Sequence, residues 1–273
     1  MSSQDRFGRE ARFHDKWACS TEADAVRIEA AFTAPTAMEN RYILSFLGDL
    51  SGKTLLDVGC GLGESSVVFA ELGADVTSND LSSEMLALTT SLAGKRGLSV
   101  KTCHGPAEDL ELPSESFDVV YAANVVHHLS DVEAFYKGIL RLLKPGGLFI
   151  AWDPVRYNPV INIYRRMASE VRSEDEYPLG RSDLAKVSFY FGNVQVRFFW
   201  LATLILFLKY YFIDKIDPNK ERYWKRIYAE DSESLRWWRP FQSLDCLLTK
   251  IPGLRWLSWN MVMIARKEES RLI

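Results

Sequence analysis

Residues 54–63 read T-L-L-D-V-G-C-G-L-G. A short apolar run with β-branched residues breaks into glycines at 59, 61 and 63. Such a run predicts a buried strand, then a glycine turn, then a helix. Glycine is needed where backbone takes positive φ or passes close to a ligand. The turn therefore marks a binding site, and its surroundings decide for what.

Downstream of the turn, strand and helix signals alternate, which implies βαβ units and a parallel sheet. Strands are expected at Thr54–Val58, Asp75–Ser78, Val100–His104, Phe117–Ala122 and Leu148–Trp152. Helices are expected from Glu64 to Leu72, from a Ser82 cap to Gly94, and from a capping box at Ser130–Glu133 to the K-P-G-G stop at 144–147. This is half to two-thirds of a doubly wound α/β domain. Leu254–Leu257 and Asn260–Arg266 predict a closing antiparallel hairpin. The expected division is a helical cap over 1–50, a core over 51–154 plus 241–267, and an insertion over 155–240. In the cap, Phe7, Ala11, His14 and Trp17 recur at helical spacing, a second segment runs from Glu22 to Phe32, and Thr36–Glu39 has capping-box form.

With 273 residues, 47% of them hydrophobic, the chain can bury a sizeable core. A net charge of −3 argues against a general nucleic-acid binder held by phosphate neutralisation. Four scattered cysteines lack any C-x-x-C pair, so no metal site or disulfide framework is read. The charged N-terminus has no apolar stretch of signal-peptide type, which predicts a cytoplasmic protein.

Two ligands commonly sit at a glycine turn of this kind. A dinucleotide fold uses G-x-G-x-x-G, with the pyrophosphate at the next helix N-terminus. Here Glu64 occupies the third glycine's place and Gly63 stands one position early. Asp57 and Glu64 would oppose a pyrophosphate, and no Lys or Arg stands near them in sequence. S-adenosyl-L-methionine, with its sulfonium and ammonium, suits the turn better. Asp80, at the end of the second strand, is placed to accept hydrogen bonds from ribose hydroxyls.

Four motifs extend this reading: LLDVGCGLGES (55–65), VTSNDLSSEML (76–86), ESFDVVYAANVVHHL (115–129) and LKPGGLFIAWDP (143–154). Together they resemble the class I S-adenosylmethionine-dependent methyltransferases, in the small-molecule branch that includes the quinone-biosynthesis enzymes. The likeness covers a little under half of the chain. It implies a Rossmann-like, mostly parallel seven-stranded sheet ending in an antiparallel hairpin. By the same resemblance, Asp57, Gly59, Gly61 and Gly63 line the methionine part of the cofactor, and Asp80 holds the ribose. Leu81 and Met85 flank the adenine, Ala107 and Glu108 meet its edge, and Asn124 faces both cofactor and substrate. Pro106 stands where the family commonly carries Asp, which leaves Glu108 as the adenine amine's partner.

Methyl transfer needs a general base only if the nucleophile arrives protonated. His127 and His128, just beyond the fourth strand, are the candidates, because ligands bind at the carboxyl ends of parallel strands. His14 and Asp153 are weaker ones. The acceptor is expected to be a small molecule. Phe198–Leu208 is eleven residues without a charge, too short to span a bilayer. Six of the eight tryptophans lie in 200–259, interleaved with cations, so residues 197–239 read either as packing or as contact with a membrane surface. Arg156, Tyr157, Arg165 and Arg166 can meet an anionic acceptor or simply form a solvated face. The competing readings are an NAD(P)-dependent oxidoreductase and a non-catalytic cofactor-binding module. An RNA methyltransferase is disfavoured by the acidic balance and by A-A-N-V after the fourth strand.

Overall fold

The structure is a computed structural model that describes residues 3–173 and 176–268, with side chains from Asp5 onward. Three helices lead in: α1 (Ser3–Cys19), α2 (Ala30–Thr33) and α3 (Met38–Leu47). The alternating core follows with β1 (Thr54–Val58), α4 (Glu64–Glu71), β2 (Asp75–Asp80), α5 (Ser83–Lys95), β3 (Lys101–His104), β4 (Phe117–Ala123), α6 (Val132–Leu142) and β5 (Leu143–Pro154). Next come α7 (Pro159–Met167), α8 (Arg181–Phe191), β6 (Val194–Phe199), the single turns α9 (Ile205–Leu208) and α10 (Tyr223–Arg226), α11 (Arg239–Leu248) and β7 (Asn260–Arg266).

The seven strands order as β3-β2-β1-β4-β5-β7-β6. β1 pairs in parallel with both β2 and β4, so chain direction through the sheet reverses beside it. That reversal opens a crevice at the carboxyl ends of β1 and β4, where the glycine turn begins. Leu55, Leu56 and Val58 are wholly buried, as an apolar run covered on both sheet faces requires.

The expected hairpin takes another form. β7 is a strand, but Leu254–Leu257 is a 3-10 turn, and the antiparallel edge partner of β7 is β6, from within the 155–240 stretch. Val194 to Arg197 alternate between half-buried and exposed before the strand ends in a buried aromatic pair, the pattern of a half-covered edge strand. The apolar run was therefore split, with Phe198–Phe199 in the sheet and Leu201 onward in short turns.

Two caps also differ. α6 is capped by Asp131, whose carboxylate accepts from the Ala134 N–H at 2.9 Å, while Ser130 turns to Glu108. Thr36–Glu39 makes no box. Thr36 Oγ1 donates to the Ile227 carbonyl at 2.6 Å, and Glu39 is buried against Trp200 Nε1 and Asn260 Nδ2. Ser82 does cap α5, accepting from the Met85 N–H at 3.1 Å, and it donates to Asp15 of α1. That bond ties the N-terminal helix over the mouth of the crevice.

Candidate active site

The three glycines of the turn have φ of +63° (Gly59), +53° (Gly61) and +87° (Gly63), a region open to few other residues. Their roles differ. A Cβ on Gly59 would stand 2.5 Å from Val125 Cγ2, and one on Gly63 would stand 2.6 Å from Thr89 Oγ1. On Gly61 it would meet no protein atom within 4 Å. Gly61 thus leaves its bare backbone to the crevice, while Gly63 lets α4 approach α5. The Gly61 N–H donates to Asp80 Oδ2 at 2.9 Å and the Ser82 N–H to Asp80 Oδ1 at 2.9 Å. The carboxylate at the end of β2 therefore holds the turn in place, and each oxygen keeps a further lone pair.

Two cavities meet at this turn. The smaller, about 120 Å³, is lined by Gly61, Asp80, Leu81, Ala107, Glu108 and Asn124 among others. The larger, about 200 Å³, lies under α1 and is walled by Trp17, Tyr121, Trp152, Trp224, Tyr228 and Trp259. Gly59, Gly61, Asn124, His14 and His128 line both, and form the seam between them. Asn124, the residue just after β4, has φ +57° and is held there by its N–H donating to the Trp152 carbonyl at 2.8 Å.

His127 lies in the 3-10 turn after β4 and lines the larger cavity. Its Nδ1 is 2.7 Å from Asp153 Oδ1 on β5, and its backbone N–H donates to the same oxygen at 3.1 Å. Burial pushes the imidazole well below the usual histidine range, reinforced by electrostatic repulsion from the neighbouring His128 and from the Arg165 and Arg172 guanidiniums. Burial likewise raises the Asp153 carboxyl. The result is a neutral imidazole locked in orientation from behind. The His128 ring centroid is 4.1 Å from that of His127, and its Nδ1 is 3.3 Å from Glu10 Oε1. Burial would raise Glu10, but hydrogen bonds with His128, His14 and Ser173 hold it well below the carboxylate range.

Ligand atoms of His127, His128 and Glu176 lie within 4.8 Å of one another, a spacing that a metal ion can use. The charge around them disfavours a cation. Glu176 pairs with the Arg172 guanidinium, and Arg165 and Arg172 both line the same cavity.

Comparison with known proteins places this geometry. The family model described as a methyltransferase domain (Methyltransf_11) matches residues 56–151, the segment from β1 into β5 that supplies Gly59, Gly61, Asn124 and His128 of the seam. Over that segment the chain is similar to a methyltransferase domain, in keeping with the class I S-adenosylmethionine-dependent resemblance of its motifs. A ubiquinone biosynthesis O-methyltransferase of Cereibacter sphaeroides is 40% identical over 99 residues, 36% of this chain and 40% of that protein. A sterol 24-C-methyltransferase of Pneumocystis carinii is 29% identical over 145 residues, 52% of this chain and 38% of that one. The chain thus spans about two fifths of the length of these relatives. Among solved structures, phosphoethanolamine N-methyltransferase 2 of Haemonchus contortus in complex with S-adenosyl-L-methionine superimposes with a TM-score of 0.58 at 19% identity, covering 85% of this chain and 52% of that one. At that identity the likeness is one of fold.

The expected site residues separate into two groups. Gly59, Gly61, Asp80, Leu81, Ala107, Glu108, Asn124, His127 and His128 all line one or both cavities. Glu108 is partly engaged, since its Oε1 accepts from the Ser130 N–H at 2.8 Å and hydroxyl at 3.0 Å. Asp57, Gly63 and Met85 lie behind the lining. Asp57 is buried and accepts the Ser66 hydroxyl at 2.6 Å, with burial raising its carboxyl to about 7. Met85 is wholly buried, packed with Leu62 and Ala18. These three shape the turn from below; they do not face the cavities.

Other lining residues escaped the sequence reading. Glu39, whose carboxyl burial raises to about 7, reaches the larger cavity from α3 beside Asn40 and Asn260. Its capping-box spacing concealed it. Glu10, four positions before His14 on one helix face, carried a readable signal. Arg172 and Lys225 had none, being placed by tertiary packing alone.

Proposed function

We propose that the chain transfers the methyl group of S-adenosyl-L-methionine to a small-molecule acceptor held in the larger cavity. The observation that carries this reading is the seam, where a crevice of about 120 Å³ and an aromatic chamber share the Gly59–Gly61 turn, Asn124 and His128. The smaller cavity fits the cofactor's adenosine. Asp80 presents unused lone pairs for ribose hydroxyls, and Leu81, Pro106, Ala107 and Leu129 offer apolar surface for a flat base. Bound there, the cofactor supplies a methyl carbon already activated by its sulfonium.

What this chain's residues do is orient and exclude water. The tryptophan-rich walls and α1 close the chamber around the acceptor. His127, neutral and held by Asp153, accepts a proton from an acceptor that arrives protonated. In this reading residues 1–50 act as a lid, and 155–240 supply acceptor specificity. Thermal-shift measurements with S-adenosyl-L-homocysteine, NAD and NADP test it. Stabilisation by the first alone supports the assignment, whereas stabilisation by a nicotinamide dinucleotide alone favours the oxidoreductase.

We also infer that the acceptor is hydrophobic or lipid-linked, reached from a membrane surface. No described helix is long and apolar enough to cross a membrane. Most of the run from Phe198 to Tyr210 is buried, but Phe212 and Ile213 are 61% and 72% exposed, beside Lys209 and Lys215. Exposed apolar side chains flanked by lysines favour a bilayer interface. Flotation with anionic liposomes checks this: protein left wholly at the bottom of the gradient contradicts it.

A further inference from the structure

The larger cavity carries a charge pattern that a purely hydrophobic acceptor leaves unexplained. Arg165, in the last turn of α7, and Arg172, just beyond it, both line the chamber. Arg172 has a partner in Glu176 and lies 5.7 Å over the Trp224 ring. Arg165 does not. Its Nη1 stands 3.5 Å from Asn162 Oδ1, at the limit of a hydrogen bond, and its Nε and Nη2 are buried with no acceptor among the described residues.

Those two atoms form one edge of the guanidinium, the edge whose parallel N–H groups grip a carboxylate or phosphate in bidentate fashion. A buried, unpaired charged donor is costly unless something supplies the missing oxygens. Burial and the neighbouring Arg172 lower the Arg165 guanidinium only to about 9, and Arg172 lies at about 10, so both stay cationic at neutral pH. Among the described residues, the nearby acids Glu176 and Glu10 are committed elsewhere. Glu176 holds Arg172, and Glu10 is bound by His128, His14 and Ser173.

We propose that the Arg165 guanidinium edge, backed by Arg172, binds an anionic group of the acceptor, a carboxylate or phosphate, while the aromatic walls hold its apolar body. This rests on the methyltransferase reading and names the acceptor's chemical class: an amphiphile with one anionic end. Bidentate pairing at a fixed point of the chamber would set which acceptor atom faces the seam. The cofactor's own methionine carboxylate is the rival occupant of the same edge.

The test uses the full chain saturated with S-adenosyl-L-homocysteine and follows tryptophan fluorescence on titration with phenyl phosphate, benzoate or benzyl alcohol. The expected result is that at least one anionic probe binds at least about tenfold more tightly than benzyl alcohol, and that Arg165→Met abolishes the difference. Arg165→Met keeps S-adenosyl-L-homocysteine affinity within about twofold and does not lower Tm, because it removes an unpaired buried charge. Arg165→Lys, which keeps the charge and loses the fork, recovers only part of the preference. Equal binding of neutral and anionic probes overturns the inference, as does a preference that survives Arg165→Met. A tenfold loss of S-adenosyl-L-homocysteine affinity in Arg165→Met overturns it too, by assigning the edge to the cofactor. In each of these cases the methyltransferase reading stands. If the wild-type chain does not bind S-adenosyl-L-homocysteine at all, that reading fails, and this inference with it.

Discussion

The Lys225 ammonium lies 2.5 Å from the Glu64 carboxylate, a residue 161 positions away at the start of α4. In sequence, Glu64 stands beside the glycine turn with no cation near it. In the fold, α10 delivers one, and Lys225 also lies 5.7 Å from the Trp17 ring centroid on α1. The pair thus joins the turn, the N-terminal helix and the region after β6. Glu64 is buried and Lys225 partly exposed, so Lys225→Met is expected to cost about 1–2 kcal/mol in denaturant unfolding, mostly from the stranded carboxylate. Adding Glu64→Gln should recover part of that loss.

The glycines of the turn make a paired prediction. Gly61→Ala adds a Cβ that meets no protein atom, so its fold cost is limited to the strain of φ +53°, about 1–2 kcal/mol. Its main effect should be a fall of at least about tenfold in S-adenosyl-L-homocysteine affinity, read by calorimetry, because the methyl group enters the crevice. Gly63→Ala presses on Thr89 Cα at 2.9 Å, a backbone atom that cannot turn aside. It should cost about 3 kcal/mol of stability, read by unfolding.

The His127–Asp153 pair predicts a split between turnover and binding. His127→Ala should lower kcat by about 10²–10⁴-fold while cofactor affinity stays within about twofold, since His127 lines only the chamber. Asp153→Asn should lower kcat in the same direction by releasing Nδ1. His128→Ala should weaken cofactor binding as well, because His128 lines both cavities. An unchanged kcat in both histidine variants would remove the general-base role.

A pH profile follows from the direction of the His127 shift. Burial, His128, Arg165 and Arg172 all lower its pKa, while the facing Asp153 carboxyl is itself raised by burial. A base depressed in this way stays unprotonated as pH falls through about 6.5, the ordinary histidine value. The acid limb of kcat/KM should therefore lie below pH 6.5. Arg165→Met removes a positive neighbour, so it raises the His127 pKa and should move that limb upward. A limb above pH 7 in the wild type would contradict the assignment.

Local sequence made the parallel core legible, because each of its signals is satisfied within one βαβ unit. Thr54–Val58 and the Ser82 cap lie where the pattern put them. What escaped was set by distant packing. The edge partner of β7 is β6, sixty-odd positions upstream, and an aromatic pair at 198–199 reads equally as strand or helix. Thr36–Glu39 has capping-box spacing, yet Trp200 and Asn260 draw Glu39 into the chamber wall. The same limit applied to the site. The motif located the turn and Asp80, but it did not separate Gly61, which faces the crevice, from Gly63 and Asp57, which support it.

The most direct measurement is transfer of tritiated methyl from S-adenosyl-L-methionine to cell extract divided into lipid, small polar and macromolecular pools, with wild-type chain and His127→Ala in parallel. The expected outcome is label in the lipid or small polar pool with the wild type, and a large loss of it with the variant. Binding of S-adenosyl-L-homocysteine with no label in any pool would contradict the enzyme reading and leave a non-catalytic cofactor-binding module.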